Sequence, residues 1–217
     1  LALVNGKRKY FKDVPSNTNL CYSNPAAQEA FANCVADYAE KHPETDVLHV
    51  WLADDCKNFC ECENCKGLLP SDSYVLALNK IDEILSARKI KTRIAFLAYC
   101  ELLWAPVNYK IKNEDRYILM FAPITRPFSQ DISDEAENSL YAKNEKFVLN
   151  KSAFPGDLTR NLAFLREWKN VFKGDSFIFD YPLMWEINKD ISTLRLPGII
   201  KKDVAGLEKL GLNGEIS

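Results

Sequence analysis

The feature that most constrains this chain is a regular alternation of short apolar segments with longer amphipathic ones. The short segments are rich in β-branched and aromatic residues and almost continuously apolar, as strands buried on both faces are. They cover residues 19–22, 47–53, 92–99, 117–122, 177–181 and 212–216. Alternating strands and helices with short connections are typical of right-handed βαβ units, so the sequence predicts an α/β fold built on a parallel sheet.

Four helical patterns lie between or after these segments. The first begins after Asn24, a preferred N-cap residue, with Pro25 in the first helical position. In each pattern, apolar residues recur at helical spacing and predict one buried stripe. The stripes are Ala27, Phe31, Cys34, Val35 and Tyr38; Tyr74, Leu78, Ile81 and Leu85; Leu158, Leu162, Leu165, Trp168 and Phe172; and Ile200, Val204, Leu207 and Leu210, followed by Gly211 as the expected helix end.

The strand count and the connections favour one α/β architecture. No G-x-G-x-x-G turn follows the first strand, so a dinucleotide-binding sheet is disfavoured and a (β/α) barrel of the TIM type is predicted. A complete barrel has eight strands in typically about 250 residues. The 217 residues therefore predict a single but incomplete barrel domain, with six strands present and the N-terminal strands missing, excised from a larger protein.

Composition excludes several classes of partner. A formal net charge of −2 offers no basic face for nucleic acid. No apolar run approaches the roughly 20 residues of a membrane helix, so no membrane span is expected. The opening residues also lack the pattern of a signal peptide, so the signal of an exported protein would have to lie outside this sequence.

Four clustered cysteines, Cys56, Cys60, Cys62 and Cys65, have the spacing C-x3-C-x-C-x2-C and are the predicted metal ligands. Four thiolates suit a structural zinc ion. Disulfides within the loop, such as Cys56 with Cys62 or Cys60 with Cys65, are the second possibility, and free thiols are the third.

The sequence does not contain an iron–sulfur motif of the radical-enzyme type, and the other three cysteines are not predicted metal ligands. The C-x3-C-x2-C motif of radical enzymes would need a cysteine where Glu63 stands. Cys21, Cys34 and Cys100 occur singly in apolar contexts and are interpreted as small hydrophobic residues.

Acidic residues follow the predicted strands, at the end where a barrel keeps its active site. The candidate catalytic residues are Asp54, Asp55 and Glu101. Two carboxylates facing one pocket can act as acid and base, as glycoside hydrolysis requires.

Aromatic and polar residues at the same strand ends are the candidate substrate-binding residues. Aromatic faces suit sugar rings, and the polar groups suit hydroxyls or a substrate carboxylate. The set is Asn24, Tyr99, Trp104, Arg126, Asp180, Tyr181 and Trp185. His49 and Trp51, in the middle of a predicted strand, are interpreted as core residues.

A series of short segments resembles one bacterial family. The segments are LCYSNP at 20–25, VWLADDCKNFCECENC at 50–65, AFLAY at 95–99, FDYP at 179–182 and LGLNGEI at 210–216. In this order they resemble domain of unknown function 4838, found in large, often exported proteins of glycan-degrading bacteria.

The resemblance implies a fold and a class of substrate. The family is similar to the barrels of α-glucuronidase-type and hexosaminidase-type glycoside hydrolases, and it commonly occurs beside carbohydrate-binding modules. We therefore expect a glycoside hydrolase acting on a glycan or polysaccharide, in an exported bacterial protein with further domains. The alternative is a non-catalytic carbohydrate-binding barrel with a loop stapled by zinc or by disulfides.

Overall fold

The structure, a computed structural model, describes residues 1–184, 190 and 194–217. In these residues its centre is a sheet of five parallel strands. The strands follow one another across the sheet in chain order: β1 (Val47–His49), β2 (Arg93–Ala98), β3 (Tyr117–Phe121), β4 (Asp175–Phe179) and β5 (Glu215–Ile216). The predicted α/β class with a parallel sheet is confirmed.

The helices pack on one side of this sheet. They are α1 (Pro25–Lys41), α2 (Pro70–Ala87), α3 (Ile132–Glu135), α4 (Leu158–Val171) and α5 (Arg195–Gly206). α2 connects β1 to β2, α4 lies between β3 and β4, and α5 precedes β5, whereas β2 and β3 are joined through short 3-10 turns. Among the described residues, no helix combines the length and the apolar character needed to cross a bilayer.

The outer face of the sheet and the helices enclose the main hydrophobic core. On β2, Ile94, Phe96 and Ala98 point to this side and are completely buried. The ring of Phe96 lies 5.6 Å from that of Trp168 on α4 and 5.2 Å from that of Phe172. Burying each large side chain of this kind contributes roughly 1.5–3 kcal/mol, so this layer fixes the helices on the sheet.

The opposite face of the sheet is concave. The rings of His49 on β1 and Phe177 on β4 lie 6.2 Å apart, although β2 and β3 separate their strands. Strands three places apart in a flat sheet would be about 14 Å apart, since neighbours are spaced by about 4.8 Å. The sheet is therefore curled into a half-barrel, which is consistent with the predicted incomplete barrel.

One predicted strand is absent from this sheet. Residues 19–22 lie beside the end of β1 but pair with no named strand. The Asn19 side chain instead accepts a hydrogen bond from the Ala53 amide (3.1 Å), and its carbonyl accepts one from Ala2 (2.8 Å). The apolar pattern correctly indicated a largely buried segment. Its hydrogen bonds, however, are made to residues outside the sheet and by the Asn19 side chain, and not to a neighbouring strand.

Two predicted helix stripes were partly wrong. On α1 the buried residues are Ala32, Val35, Ala36 and Ala39, whereas Cys34 and Tyr38 are exposed. On α5, Leu196 and Ile199 are buried and Val204 is exposed. The α2 and α4 stripes are confirmed, because there large apolar side chains face the sheet.

Candidate functional site

A cavity of about 350 Å³ opens at the carboxyl ends of the strands, on the concave face. Its walls come from the ends of β1, β2, β3 and β4 and are mostly apolar and aromatic. The lining residues are Trp51, Leu52, Ala53, Asp54, Leu97, Tyr99, Met120, Ile124, Phe179, Tyr181 and Met184. The structure thus brings together three sequence-predicted site residues, Asp54, Tyr99 and Tyr181.

Asp54 is the acid that lines this cavity. Its Oδ1 atom accepts hydrogen bonds from the Asp55 amide (2.7 Å) and from the Tyr99 hydroxyl (3.4 Å). Burial, with the nearby Asp54 charge, raises the pKa of Tyr99 to about 12. The phenol is therefore neutral at physiological pH and can donate a hydrogen bond to the carboxylate or to a bound ligand.

The chain turns sharply away from the cavity after Asp54. Asp55 has a left-handed backbone (φ 70°), and its carboxylate pairs with Lys12 at 2.5 Å. The lysine hydrogen bond is the main reason that the pKa of Asp55 is lowered. Asp55 is thus an anchor of this turn and is absent from the cavity wall.

Glu101 lies beneath the same turn and is completely buried. Its Oε1 atom accepts a hydrogen bond from the Lys57 amide (2.7 Å), and Oε2 has no hydrogen-bond partner in the part of the chain that the structure describes. Burial raises the pKa of this carboxyl. Glu101 therefore holds the turn and is not part of the cavity wall. It lies close enough to Tyr99 and Asp55 to interact with both electrostatically.

A disulfide fastens the turn to the next strand. Cys56 is bonded to Cys100, which lies two residues after the end of β2. The sequence had offered Cys56 as a disulfide partner only within its own loop, with Cys62, because a separation of 44 residues hides the pairing with Cys100. The predicted metal-ligand role of Cys56 is therefore replaced by a disulfide, and Cys100 is not a free hydrophobic cysteine.

Two inner-face residues differ from the sequence interpretation. Trp51 is 44% exposed and lines the cavity, and His49 is also exposed, although both were predicted to be core residues. Within residues 1–184, 190 and 194–217, no helix layer covers the concave face, so alternate residues of β1 and its extension reach the surface. Trp51 is a candidate ligand-binding residue that sequence reasoning missed, because the predicted strand continued to residue 53 whereas β1 ends at His49.

Two predicted substrate-binding residues lie away from the cavity. Trp104 is 6% exposed, packs against the rings of Phe147 and Phe164, and donates a hydrogen bond to the Glu145 carbonyl (2.8 Å). Asn24 caps α1 by accepting hydrogen bonds from the first helical amides. Trp104 is therefore a core residue on the helix side of the sheet. Asn24 has the N-cap position that its sequence context predicted.

Arg126 and Asp180 form a buried ion pair instead of facing the cavity. The guanidinium donates to Asp180 (2.7 Å) and to Asp203 of α5 (2.8 Å), and all three side chains are 1–2% exposed. Burial raises the pKa of Asp180 to about 6, although Arg126 opposes this. These groups join the end of β4 to α5 and offer no free charge to a ligand. The remaining prediction, Trp185, lies outside the described residues.

A cluster of four cysteine thiols lies apart from the cavity. Three of these cysteines belong to the loop between β1 and α2. The sulfur atoms of Cys21, Cys60, Cys62 and Cys65 all lie within 4.8 Å of one another. Cys21, which precedes α1, takes the place that the sequence had assigned to Cys56. This set could hold a metal ion, and three of its four residues, Cys60, Cys62 and Cys65, are among the predicted metal ligands.

The four thiols have unequal environments. Burial raises the pKa of Cys65 to about 12. Burial also raises that of Cys62, but hydrogen bonds from Cys60 and Cys65 outweigh it and lower the pKa to about 6. One thiol of the cluster is therefore readily ionised, as a metal ligand must be.

Comparison with known proteins gives one positive result. The family described as domain of unknown function (DUF4838) matches residues 1–192. Searches of curated proteins and of solved structures returned no match to the chain.

Proposed function

The chain belongs to the DUF4838 family, and we propose that it is a glycoside hydrolase whose glycan substrate binds in the strand-end cavity. The observation that carries this proposal is the cavity itself, where an exposed carboxylate stands among aromatic rings. Catalytic sites of (β/α) barrels occupy this end of the strands. The chain-order parallel strands and the curl of the sheet support a TIM-type barrel as the complete architecture.

The aromatic walls suit a sugar. The ring of Trp51 lies 6.4 Å from that of Phe179, which in turn contacts Tyr181 at 4.9 Å. Such rings offer apolar faces to the C–H faces of a pyranose, and the tyrosine hydroxyls offer hydrogen bonds to its hydroxyls. A cavity of about 350 Å³ accommodates one or two sugar units, at the small end of ordinary ligand pockets.

Asp54 is proposed as the carboxylate that meets the sugar. It is exposed to the cavity, and two hydrogen-bond donors orient its Oδ1. A carboxylate in this position can attack the anomeric carbon or activate water. Glu101 is the proposed second carboxylate, because a buried acid with a raised pKa is the usual form of a general acid.

A second candidate function is glycan binding without catalysis. It is favoured by the position of Glu101, which holds the Lys57 amide and does not line the cavity. In this case the aromatic walls bind a glycan and Asp54 contributes a hydrogen bond. The loop between β1 and α2 would then have a structural role only, held in place by the Cys56–Cys100 disulfide and by a metal ion at the four thiols.

Localisation and partners follow the same reasoning. The Cys56–Cys100 disulfide supports an exported protein, since disulfides persist in oxidising compartments. We expect a bacterial parent chain in which this domain acts beside other domains, such as carbohydrate-binding modules.

The test uses the full-length parent protein and a panel of plant, bacterial and animal glycans. Asp54→Asn should lower kcat/KM on the cleaved glycan by about 10²–10⁴-fold, the usual contribution of one catalytic acid or base. Asp46→Asn is the matched control, because Asp46 is exposed just before β1, at the other end of the sheet. Full cleavage by the Asp54 variant would refute the catalytic proposal.

Binding is measured separately to distinguish the two candidates. Titration of the same glycans should quench the fluorescence of Trp51, and Trp51→Phe should remove this signal. Binding without any cleavage would favour the glycan-binding module. If the panel were neither bound nor cleaved, both carbohydrate proposals would fail.

A further inference from the structure

The geometry points to a zinc site that the sequence spacing alone misassigns: we propose that Cys21, Cys60, Cys62 and Cys65 bind one structural zinc ion and that Cys56 is not a ligand. The four residues come from two regions of the chain that are separated by α1 and β1. This site does not depend on the proposed hydrolase function, since none of its cysteines lines the strand-end cavity.

The spacing of the sulfur atoms matches a tetrahedral metal site. In a tetrahedron with Zn–S bonds of about 2.3 Å, each pair of sulfurs is separated by about 3.8 Å. The Cys21 sulfur lies 3.7 Å from that of Cys62 and 3.9 Å from that of Cys65. All four ligand atoms lie within 4.8 Å of one another, so one ion at the centre could reach each of them.

The same distances disfavour disulfides among these four cysteines. A disulfide brings its sulfur atoms to about 2.05 Å. The Cys21 sulfur is equally close to two partners instead of being bonded to one. Cys56, the nearest cysteine in sequence, is already bonded to Cys100 and is not available as a fourth ligand.

The local backbone has the shape of a zinc-binding turn. Cys62 and Cys65 have the C-x2-C spacing that is common in structural zinc sites. The Cys62 carbonyl accepts hydrogen bonds from the amides of Cys65 and Lys66, both at 2.9 Å, so the chain reverses between the two ligands. Both sulfurs are thereby turned towards Cys21.

The surroundings are suited to a negatively charged metal–thiolate centre. Four thiolates around Zn²⁺ carry a net charge of about −2, which needs nearby donors or cations. The Leu3 amide donates to the Cys60 sulfur (3.2 Å), and the Arg8 guanidinium lies 4.0 Å from the same sulfur. The Cys65 thiol donates to the Ser23 hydroxyl at 2.9 Å, and the same hydroxyl could donate to the sulfur of a metal-bound thiolate.

The ion would join two segments of the chain at a place where a third, the N-terminal segment, packs against them. The N-terminal residues already contact the loop, because the Glu61 amide donates to the Leu3 carbonyl (2.7 Å). Cys21 brings in the segment before α1. A metal at this point therefore fixes the loop that continues from Asp54 and reinforces the small apolar cluster that Ala2, Leu3 and Val4 form with these cysteines.

The test measures metal and thiols in the purified wild-type protein, isolated without reductant. Elemental analysis should find one zinc per chain, and Co²⁺ substitution should give the visible absorption of a tetrahedral thiolate complex. After denaturation with a chelator, five thiols should react, namely those of Cys21, Cys34, Cys60, Cys62 and Cys65.

Two variants distinguish the proposed ligand set from the set that the spacing favours. Cys21→Ser should lose the bound zinc, whereas Cys56→Ser should keep one zinc per chain. Cys34→Ser is the matched control, since Cys34 is an exposed free cysteine on α1. If Cys21→Ser does not fold, the wild-type metal content, thiol count and cobalt spectrum decide the question alone.

Several results would overturn the proposal. A wild-type protein without zinc and with a single reactive thiol would show that the cluster is paired as disulfides. Bound iron instead of zinc would refute the identity of the ion. Loss of zinc from Cys56→Ser, with retention by Cys21→Ser, would restore the ligand set C-x3-C-x-C-x2-C.

Discussion

At the scale of single residues, burial decides what the charged groups of this protein can do. Arg126 and Asp180 lie at strand ends, as a sugar-binding pair would, but their side chains are 1–2% exposed. Two acids, Asp180 and Asp203, share one guanidinium. Burial, together with the nearby charge of Asp180, raises the pKa of Glu215. Such a buried network joins elements together, and removing one partner is costly because a charge remains unpaired.

Asp180 should make the stability of the protein depend on pH. Its pKa is raised from 3.8 to about 6 in the folded state, mainly by burial. The folded protein therefore holds this proton more tightly than the unfolded chain does. The contribution is fully present below about pH 4 and is lost as the pH rises through about 6.

This contribution is measured from urea unfolding between pH 3.5 and about 7. Relative to Asp180→Asn, the wild-type free energy of unfolding should fall across that range. Asp175→Asn, at the exposed start of β4, serves as the control and should keep the wild-type pH dependence. Identical slopes for wild type and Asp180→Asn would contradict the prediction.

At the scale of elements, the loop after β1 is held by many weak contacts and one covalent bond. The Lys57 amide bonds to Glu101, and the Asn58 side chain donates to the carbonyls of Asn17 and Asp54. The Cys56–Cys100 disulfide closes a chain segment of 44 residues between the ends of β1 and β2. This bond connects the two strands that supply Asp54 and Tyr99 to the cavity.

Removing the disulfide should destabilise the protein by about 4 kcal/mol, the loop-closure value for a segment of this length. The double variant Cys56→Ser/Cys100→Ser is compared with Cys34→Ser by urea unfolding. The double variant should also bind glycan less tightly, because the turn after Asp54 is less restrained. An unchanged free energy of unfolding would show that the two cysteines are not bonded in the purified protein.

The helices show why hydrophobicity alone did not identify every packing face. α1 packs against α2, and its buried face includes Ala32, Ala36 and Ala39, which are 0–1% exposed. Small side chains let two helices approach closely, so alanines can form the interface while a larger Tyr38 remains at the surface, stacked on His42. A stripe drawn through the largest apolar residues therefore missed the contact.

At the scale of the whole molecule, the half-barrel leaves its concave face partly open. Trp51, Met184 and Ile216 are 43–55% exposed along this face or its rim. In a closed barrel, side chains of the inner face would be packed in layers. An exposed apolar surface of this kind is a site for ligands or for further protein.

The isolated 217-residue chain should therefore bind a hydrophobic fluorescent dye in its native state. Trp51→Lys should reduce the dye fluorescence by removing apolar surface from the cavity. Val204→Lys is the control, because Val204 is 54% exposed on α5, on the helix side. Equal loss of dye binding in both variants would argue against the concave face as the binding surface.

The local architecture follows from the order of residues along the chain. Five of the six predicted segments are strands, the N-cap at Asn24 is confirmed, and Gly211 has the left-handed conformation (φ 67°) expected after a helical segment. These features depend on periodicity and on residues adjacent in the chain, which a sequence displays directly. The same holds for Asp54, Tyr99 and Tyr181, which meet because parallel strands end at one edge of the sheet.

Only the tertiary structure decided which distant groups become neighbours. It paired Cys56 with Cys100, brought Cys21 to the other three cysteines, and buried Arg126 between two acids. It also left Trp51 open to a cavity, because the curl of the sheet sets which strand face is covered. Such contacts join residues tens of positions apart, and their geometry comes from packing, which the order of residues along the chain does not display.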